Sequence, residues 1–344
     1  MEYGSDFSVD LEKLNKTSDT VFRFLSDYDA LYFDSGRSAT RYLLRTVPHK
    51  RVALPAYLCE SITSCFPDSD IFYYPLDEHL QISSLDQIPW ETLDVFYLLH
   101  YFGSLQSEES LQYIDKMRRK FGFFVIEDTT HSLFTSAITI GDYGVCSLRK
   151  WFPIPDGGVL YSKTALDRAG YDALTPRHSP RIHGMVLKAL YLDGAVTDKG
   201  AFRKILLETE DALDAQDDLF KISVISEFLL GCESVTSIIH QRKENHACLK
   251  KAVGDLFDEM IPRKETDVPF IFVLRCEMRN ALRAYLTENQ VYCPVHWPLP
   301  DDWVDSDAKH LSAKLMSIPT DQRYHEADML NITKIIRGFY HESV

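Results

Sequence analysis

Val125-Ile-Glu-Asp-Thr-Thr-His131, followed by Ser147-Leu-Arg-Lys150, is the most informative part of the sequence. Asp128 closes an apolar run that is typical of a buried strand, and Lys150 follows the next such run. Ligands of open α/β sheets bind at the carboxyl ends of the strands, so both side chains are expected at one edge of a sheet. Two simpler interpretations stay open, with Asp128 as the cap of the following helix and Lys150 as a solvated surface residue.

Further apolar runs on both sides of this stretch predict a sheet. Their two-sided hydrophobicity is typical of parallel strands that are covered by helices. The predicted strands are Arg51–Pro55, Ile71–Pro75, Asp94–Leu99, Phe123–Ile126, Gly144–Leu148 and Gly158–Tyr161. Amphipathic segments alternate with them, and the predicted helices are Ser38–Leu44, Tyr57–Cys65 and Glu109–Lys120. This alternation predicts an α/β domain built from βαβ units.

The second half of the chain has a different pattern. Residues 165–257 are predicted to be helical, with one long helix from Lys221 to about Val253. The predicted strands Phe270–Leu274 and Val291–Val295 then flank the predicted helix Glu277–Glu288. A chain of 344 residues suits a large domain with a smaller one. We therefore predict an N-terminal segment over 1–25, a large α/β domain over 26–230 and a small C-terminal α+β domain over 231–344.

The composition argues against several classes of partner and site. The formal net charge of −14 argues against a nucleic acid or an anionic membrane surface as partner. The seven cysteines form no Cys-x-x-Cys pair, so neither a metal site nor a disulfide framework is predicted. No apolar run reaches membrane-spanning length, and the first residues lack a basic-then-apolar leader pattern. We therefore expect a cytoplasmic protein.

Lys150 and Asp128 have complementary chemistry for one cofactor. A lysine amine can form a Schiff base with an aldehyde, and a carboxylate can hold a protonated pyridine nitrogen. Pyridoxal 5'-phosphate (PLP) needs both groups. The apolar stretch Trp151-Phe-Pro-Ile-Pro155 follows the lysine, so we expect Lys150 to be desolvated. The Ser147 hydroxyl, three residues earlier, suits a phosphate oxygen.

Ser35-Gly-Arg-Ser-Ala39 is a second candidate contact for a phosphate. It follows the apolar pair Tyr32-Phe33 and opens the predicted helix Ser38–Leu44. Backbone N–H groups at a helix N-terminus bind phosphate, and glycine lets the chain approach closely. An ordinary helix cap without a ligand is the competing interpretation.

Five motifs in this order resemble the DegT/DnrJ group of PLP-dependent aminotransferases. They are Asp34-Ser-Gly-Arg-Ser-Ala39, Leu54-Pro-Ala-Tyr-Leu-Cys59, His100-Tyr-Phe-Gly103, Ile126-Glu-Asp-Thr-Thr-His131 and Ser147-Leu-Arg-Lys150. Members of that group have the aspartate-aminotransferase fold, type I. The resemblance therefore implies PLP as cofactor and the type I fold, an α/β fold with a mostly parallel central sheet in a large domain and a smaller α+β C-terminal domain.

The resemblance also implies roles for individual residues. The family's phosphate-cup motif, Ser-Gly-Thr-Ala, falls on Ser35, Gly36, Arg37 and Ser38, with arginine in place of threonine and serine in place of alanine. The family's aspartate for the pyridine nitrogen falls on Asp128, and its Gln or His near the cofactor's phenolic oxygen falls on His131. Its phosphate-binding serine and its Schiff-base lysine fall on Ser147 and Lys150.

Three further roles have simpler alternatives. Tyr57 is a candidate for stacking on the pyridine ring, although core packing is the stronger explanation in a chain with 18 Tyr and 20 Phe. His131 lies one helical turn beyond Asp128 and is either an acid–base group or a polar core histidine. Arg323 is a candidate anchor for a substrate carboxylate through a bidentate contact, or else half of a surface ion pair.

Together with the resemblance, these residues predict an aminotransferase with Lys150, Asp128 and His131 as its catalytic residues. It would move an amino group from an amino-acid donor to a keto sugar or similar carbonyl acceptor through a Lys150 aldimine. Asp128 would keep the ring nitrogen protonated, and the freed Lys150 amine would act as general base. Another PLP reaction (lyase, decarboxylase or desulfurase type) and a non-catalytic regulator stay open as alternatives. The resemblance also implies a homodimer.

Overall fold

A computed structural model describes residues 2–12, 14–257 and 259–342 of the chain. The strands are β1 (Tyr3–Gly4), β2 (Asp29–Phe33), β3 (Arg51–Pro55), β4 (Asp70–Tyr74), β5 (Val95–Leu99), β6 (Phe124–Asp128), β7 (Tyr143–Ser147), β8 (Gly158–Ser162), β9 (Phe272–Arg275), β10 (Val291–Tyr292) and β11 (Leu315–Ile318). The helices are α1 (Val21–Phe24), α2 (Gly36–Leu43), α3 (Glu60–Thr63), α4 (Glu108–Phe121), α5 (Arg181–Leu192), α6 (Lys199–Asp214), α7 (Val224–Leu230), α8 (Val235–Val253), α9 (Arg279–Glu288), α10 (Ser306–Lys314) and α11 (Glu326–Glu342). Short 3₁₀ turns lie at Leu85–Gln87, Trp90–Thr92 and Leu148–Lys150.

A seven-stranded sheet with the order β4-β3-β5-β6-β7-β8-β2 forms the centre of the large domain. The strands from β4 to β7 in that order are parallel to one another, whereas β8 is antiparallel to both β7 and β2. The reversal follows from the short connection 148–157 between β7 and β8, because a parallel return needs a crossover of about a dozen residues or more. The mostly parallel sheet predicted from the sequence is confirmed.

The six strands predicted for this sheet are all present, with ends that differ by at most two residues. The prediction missed β2, of which it recognised only the apolar pair Tyr32-Phe33. This strand lies at the edge of the sheet, where β8 is its neighbouring strand and Lys221 adds one isolated bridge to Phe33, and only two of its residues, Leu31 and Phe33, are buried. Its apolar pattern is therefore weaker than that of the central strands.

Two predicted helices differ from the structure. The helix expected over Tyr57–Cys65 shortens to α3, because Tyr57 and Leu58 pack into the core ahead of the helix. The long helix expected from Lys221 to Val253 is wrong, since the chain there forms α7 and α8 with Gly231 after the first. Each of these helices has its own N-cap, in which a serine Oγ accepts an N–H from the first turn.

A second hydrophobic core lies among the C-terminal elements. There β9 pairs antiparallel with β11, and α8, α9 and α11 pack around them. At the other end of the chain β1 pairs in parallel with β10, and Tyr3 is buried in this same core. The smaller α+β part expected from the sequence is therefore present, and the first residues pack against it.

The boundaries at 25/26 and 230/231 stay predictions. Helix α8 begins with Val235 in the core of the large sheet and ends with Val253 in the second core. Because one helix belongs to both cores, the two parts of the chain share a continuous packed connection at this point.

Candidate active site at the carboxyl edge of the sheet

A cavity of about 570 Å³ opens at the carboxyl edge of the central sheet. Seven residues selected from the sequence line it, namely Ser35, Gly36, Arg37, Asp128, His131, Ser147 and Lys150. Asp128 and Ser147 meet there because β6 and β7 are parallel neighbours. Since β2 lies two antiparallel steps from β7, it runs in the same direction and brings Ser35 to the same edge.

The N-terminus of α2 forms an anion-binding cup in this cavity. Ser35 caps the helix, and its Oγ accepts the Ser38 N–H at 3.0 Å. The N–H groups of Gly36 and Arg37 lie in the first turn and have no acceptor among the described residues. A Cβ at position 36 would lie 3.2 Å from the backbone nitrogen of Ser147, so glycine allows this close approach to β7. The cup therefore suits a phosphate group.

Asp128 is a buried carboxylate at the end of β6. Its Oδ2 accepts the Tyr97 hydroxyl at 2.9 Å, and its Oδ1 accepts the Thr130 N–H at 2.8 Å. Both donors are uncharged, and burial raises the pKa of Asp128 above its usual value. A cationic group that entered the cavity would therefore stabilise the ionised carboxylate.

His131 lies in a stack of aromatic rings beside the cavity. Its ring centroid is 4.3 Å from that of Phe270 and 5.4 Å from that of Trp297, with interplanar angles of 17° and 11°. Burial, together with His296 and Lys150, lowers the pKa of His131 well below its usual value. Its Nδ1 is buried without a protein partner. A neutral imidazole with a free ring nitrogen suits a hydrogen bond to a ligand better than proton transfer.

Lys150 ends a 3₁₀ turn and exposes its side chain in the cavity. The expectation of a desolvated lysine is therefore wrong. Trp151 takes the buried position instead, and its Nε1 donates to the Thr130 carbonyl at 2.8 Å. This hydrogen bond joins the segment that follows Lys150 to the segment that follows Asp128. It therefore helps to fix the positions of Lys150 and Asp128 relative to each other.

Helix α6 contributes two carboxylates to the cavity. Asp214 accepts from Arg37 at 2.7 Å, and Glu210 accepts from Arg149 at 2.8 Å. Arg37, which we expected to bind the cofactor, therefore offers its backbone to the cup while its side chain forms an ion pair. Arg149 was not selected from the sequence, although it directly precedes Lys150. Three guanidinium groups therefore line the cavity, those of Arg37, Arg41 and Arg149, and carboxylates of α6 form ion pairs with the first and the last.

Ser38 and Tyr57 were selected from the sequence but lie away from the cavity. The Ser38 hydroxyl lies 3.0 Å from that of Ser35, inside the helix cap. Tyr57 is fully buried and packs against Tyr101 and Trp297, with centroid distances of 6.2 Å and 5.5 Å. In this structure Tyr57 is a core residue behind Trp297, so it does not offer the expected stacking surface.

Arg323 is engaged within the protein. Its Nε and Nη2 donate to the Asp321 carboxylate at 2.7 Å and 2.9 Å, and its Nη1 donates to the Asp6 carbonyl at 3.1 Å. These bonds tie the N-terminal segment to the C-terminal part of the chain. Arg323 lines a neighbouring cavity rather than the one that contains Asp128. Arg323 therefore has no free guanidinium edge for the carboxylate-anchoring role that we expected.

His296 and Trp297 line the cavity but were missed in the sequence. They follow β10, so the C-terminal part of the chain supplies them. The run Pro294-Val-His-Trp-Pro298 does contain a usable signal, because two prolines stiffen the backbone around a His-Trp pair. Burial and the charge of Lys150 lower the pKa of His296 to about 3, so this second imidazole is neutral as well.

Solved structures identify the fold. No family model and no curated protein matches the chain. The PLP form of Spr1654 from Streptococcus pneumoniae, described as a sugar aminotransferase, has a TM-score of 0.68 at 14% identity over 100% of both chains. The Helicobacter pylori aminotransferase PseC, involved in the biosynthesis of pseudoaminic acid, has a TM-score of 0.66 at 14% identity over 99% of this chain and 100% of that one. A DegT DnrJ EryC1 StrS aminotransferase from Brucella abortus has a TM-score of 0.64 at 16% identity over 93% of this chain and 88% of that one.

The chain has the type I aminotransferase fold. The fold class predicted from the sequence is thereby confirmed over the whole chain, including the C-terminal part that the five motifs did not reach. In this type I fold the described residues contain no group of three or more His, Cys, Asp or Glu side chains placed to hold a metal ion. Among the same residues no helix is long and apolar enough to cross a membrane.

Proposed function

We propose that this protein is a PLP-dependent aminotransferase of the DegT/DnrJ group. It transfers an amino group from an amino-acid donor to a keto sugar or similar carbonyl compound. The observation that carries the proposal is the pairing of a buried carboxylate, Asp128, with an exposed amine, Lys150, around one cavity of a type I fold. The five ordered motifs support it, and so do the aminotransferases among the structural neighbours.

Three features of the cavity fit PLP. The free N–H groups of Gly36 and Arg37 suit its phosphate. The buried Asp128 carboxylate has no positively charged partner, and a protonated pyridine nitrogen would be such a partner. The unpartnered Nδ1 of His131 suits the phenolic oxygen. The PLP and PMP forms of Spr1654 both have TM-scores of 0.68 with this chain, which agrees with the same cofactor.

When bound, PLP supplies an aldehyde that condenses with amines and a ring that accepts electrons. Lys150 Nζ would be the amine that holds the cofactor and would also move the proton at the substrate carbon. Asp128 would keep a proton on the ring nitrogen, and Tyr97, which donates to Asp128 Oδ2, fixes the orientation of that carboxylate. The Ser147 hydroxyl adds a donor to the phosphate cup.

The acceptor class rests on the neighbours. Spr1654 is described as a sugar aminotransferase, and PseC takes part in pseudoaminic acid biosynthesis. We therefore propose a keto sugar as the acceptor of this chain as well.

We also propose a cytoplasmic location, since all seven cysteines are free thiols, the form that a reducing compartment preserves.

The proposal predicts a half-reaction with an amino donor alone. Purified protein loaded with PLP and mixed with L-glutamate or L-glutamine should lose its visible absorbance band, gain the band of the PMP form and release about one equivalent of 2-oxo acid per site. Absorbance spectra and a 2-oxo acid assay measure this directly. Release of carbon dioxide without a 2-oxo acid, or of sulfide when L-cysteine is the donor, would assign the protein to another PLP reaction, and an unchanged spectrum with all common amino acids would favour a non-catalytic regulator.

We propose that the protein is a homodimer, as the type I resemblance implies. Helix α7 supports this because it exposes the apolar side chains Val224, Ile225 and Phe228, at 69%, 39% and 39% of their full surface. A two-fold dimer is also the commonest soluble assembly.

Light scattering at micromolar concentration should therefore give about twice the chain mass of 39.6 kDa. Phe228→Asp should shift the protein toward the monomer, because a buried charge in the interface is costly. The control Met278→Asp changes a residue that is 46% exposed elsewhere on the surface and should leave the mass unchanged. A wild-type monomer that transaminates at its full rate would contradict the dimer.

A further inference from the structure

A second cavity, of about 410 Å³, adjoins the first at Lys150. Arg149, Lys150 and His296 line both cavities. The second one is strongly basic although the whole chain carries a net charge of −14. Its charged residues are Arg149, Lys150, Arg181, Arg242, Arg283 and Arg323 against Asp6 and Asp321. The excess of positive charge in this second cavity favours an anionic ligand next to Lys150.

Three of these six cations already have a carboxylate partner in the protein. Asp321 holds Arg323 at 2.7 Å. Glu210 holds Arg149 at 2.8 Å and Arg181 at 2.9 Å. A ligand would have to compete with these ion pairs, so none of the three guanidinium groups is well placed to bind it.

Arg242, on α8, differs from them. It is only 1% exposed, and both of its protein hydrogen bonds go to uncharged acceptors. Nε donates to Gln322 Oε1 at 2.8 Å, and Nη1 donates to the Phe270 carbonyl at 2.6 Å. Among the described residues Nη2 has no acceptor. Burial lowers the pKa of Arg242 to about 10, so the group is charged at neutral pH.

Arg242 packs against the residue that follows the reactive lysine. Its guanidinium carbon lies 4.4 Å from the ring centroid of Trp151, the residue after Lys150. Thr320 lines the same cavity, and its buried Oγ1 has no protein partner. A charged fork and a hydroxyl donor, both short of acceptors, thus border one cavity with Lys150. A planar carboxylate matches the guanidinium edge and the hydroxyl better than a bulky uncharged group does.

We propose that Arg242 binds the α-carboxylate of the amino-acid donor, with the Thr320 hydroxyl as a second donor to the same group. This inference rests on the proposed aminotransferase function and names the residue that recognises one of its substrates. Because burial removes Arg242 from water, its contact with a carboxylate should be much stronger than that of an exposed arginine.

A structural role is the main alternative. Gln322 accepts from Arg242 and donates through Nε2 to the Trp151 carbonyl at 2.6 Å, so Arg242 also supports the segment next to Lys150. A simple loss of activity in a variant would not separate support of this segment from carboxylate binding. The experiment therefore needs donors that differ only in the carboxylate.

The test compares L-glutamate with 4-aminobutanoate, which lacks only the α-carboxylate, in the donor half-reaction of the PLP-loaded protein. For Arg242→Met we expect kcat/KM with L-glutamate to fall on the order of hundredfold, while the slower reaction with 4-aminobutanoate stays within about threefold. Arg242→Lys, which keeps the charge but loses the fork, should lie between. The control Arg283→Met removes an exposed guanidinium of the same cavity and should change either rate by about twofold at most.

Two results would overturn the inference. An equal loss with both amines would assign Arg242 to supporting the Trp151 segment. An unchanged donor half-reaction with an impaired acceptor half-reaction would assign it to the acceptor.

A binding measurement separates this inference from the proposed function. Calorimetry with 2-oxoglutarate on the resting protein should give an affinity at least about tenfold weaker in Arg242→Met than in wild type. If wild type transaminates no amino acid but this difference persists, the proposed function is wrong and the carboxylate site stands. If wild type transaminates and both proteins bind 2-oxoglutarate equally, the carboxylate site is wrong and the function stands.

Discussion

Lys150→Ala is expected to abolish covalent attachment of the cofactor and to lower turnover by at least about a thousandfold. The variant loses the amine that holds the cofactor and also the group that moves the proton at the substrate carbon. Wild-type protein should be yellow, and borohydride should fix the cofactor to it. The variant should have no reducible covalent band in its absorbance spectrum, and mass spectrometry should find no cofactor-modified peptide.

The variant should still bind PLP without a covalent bond. The cup at the start of α2, Asp128 and the ring of His131 all remain, and none of them depends on Lys150 for its position. Thermal unfolding should therefore still shift upward when PLP is added. Lys163→Ala, which removes an exposed lysine just after β8, is the control and should behave as wild type. If Lys150→Ala keeps a borohydride-reducible band, another lysine holds the cofactor.

Asp128→Asn is expected to preserve the fold and to slow the donor half-reaction on the order of hundredfold or more. The amide oxygen can still accept the Thr130 N–H, and the amide N–H can donate to the Tyr97 hydroxyl oxygen in place of accepting from it, but the amide cannot hold a positive charge on the ring nitrogen. The half-reaction rate at saturating PLP measures the effect. Asp156→Asn is a matched control, since burial also raises the pKa of Asp156 but this residue lies outside the cavity, and we expect a rate within a few fold of wild type. Near-wild-type turnover of Asp128→Asn with bound cofactor would remove Asp128 from the mechanism.

The same substitution should have a pH-dependent effect on the stability of the cofactor-free protein. Burial raises the pKa of Asp128 in the folded state, so the folded protein binds this proton more tightly than the unfolded chain does. The stability that this group contributes is present below its unfolded pKa and is lost as the pH rises through the folded value. Relative to wild type, Asp128→Asn should therefore gain stability from acidic to neutral pH in urea unfolding. A difference that is flat across this range would show that Asp128 titrates as it does in the unfolded chain.

The local sequence was sufficient to predict the frame of the site, that is, the central sheet, the residues at its strand ends and the start of α2. The apolar runs predicted the central sheet because buried parallel strands must be hydrophobic on both faces. Asp128 and Ser147 could be predicted to meet because the carboxyl ends of parallel strands lie at one edge. Ser35 and Gly36 could be placed at a helix start because capping is a local interaction between neighbours in sequence.

The tertiary structure decided which side chains surround that frame. The sequence could not show that Trp297, and not Tyr57, is the aromatic residue that lines the cavity. Both side chains are aromatic, and Trp297 reaches the cavity only because the C-terminal part packs against the large domain. Arg323 and Arg242 also look alike in sequence. Asp321 forms an ion pair with the first, whereas the second is buried beside Phe270 and Trp151 and donates its hydrogen bonds to uncharged acceptors. Which arginine lacks an ion pair depends on contacts between segments far apart in the chain, and a pattern of near neighbours contains no information about such contacts.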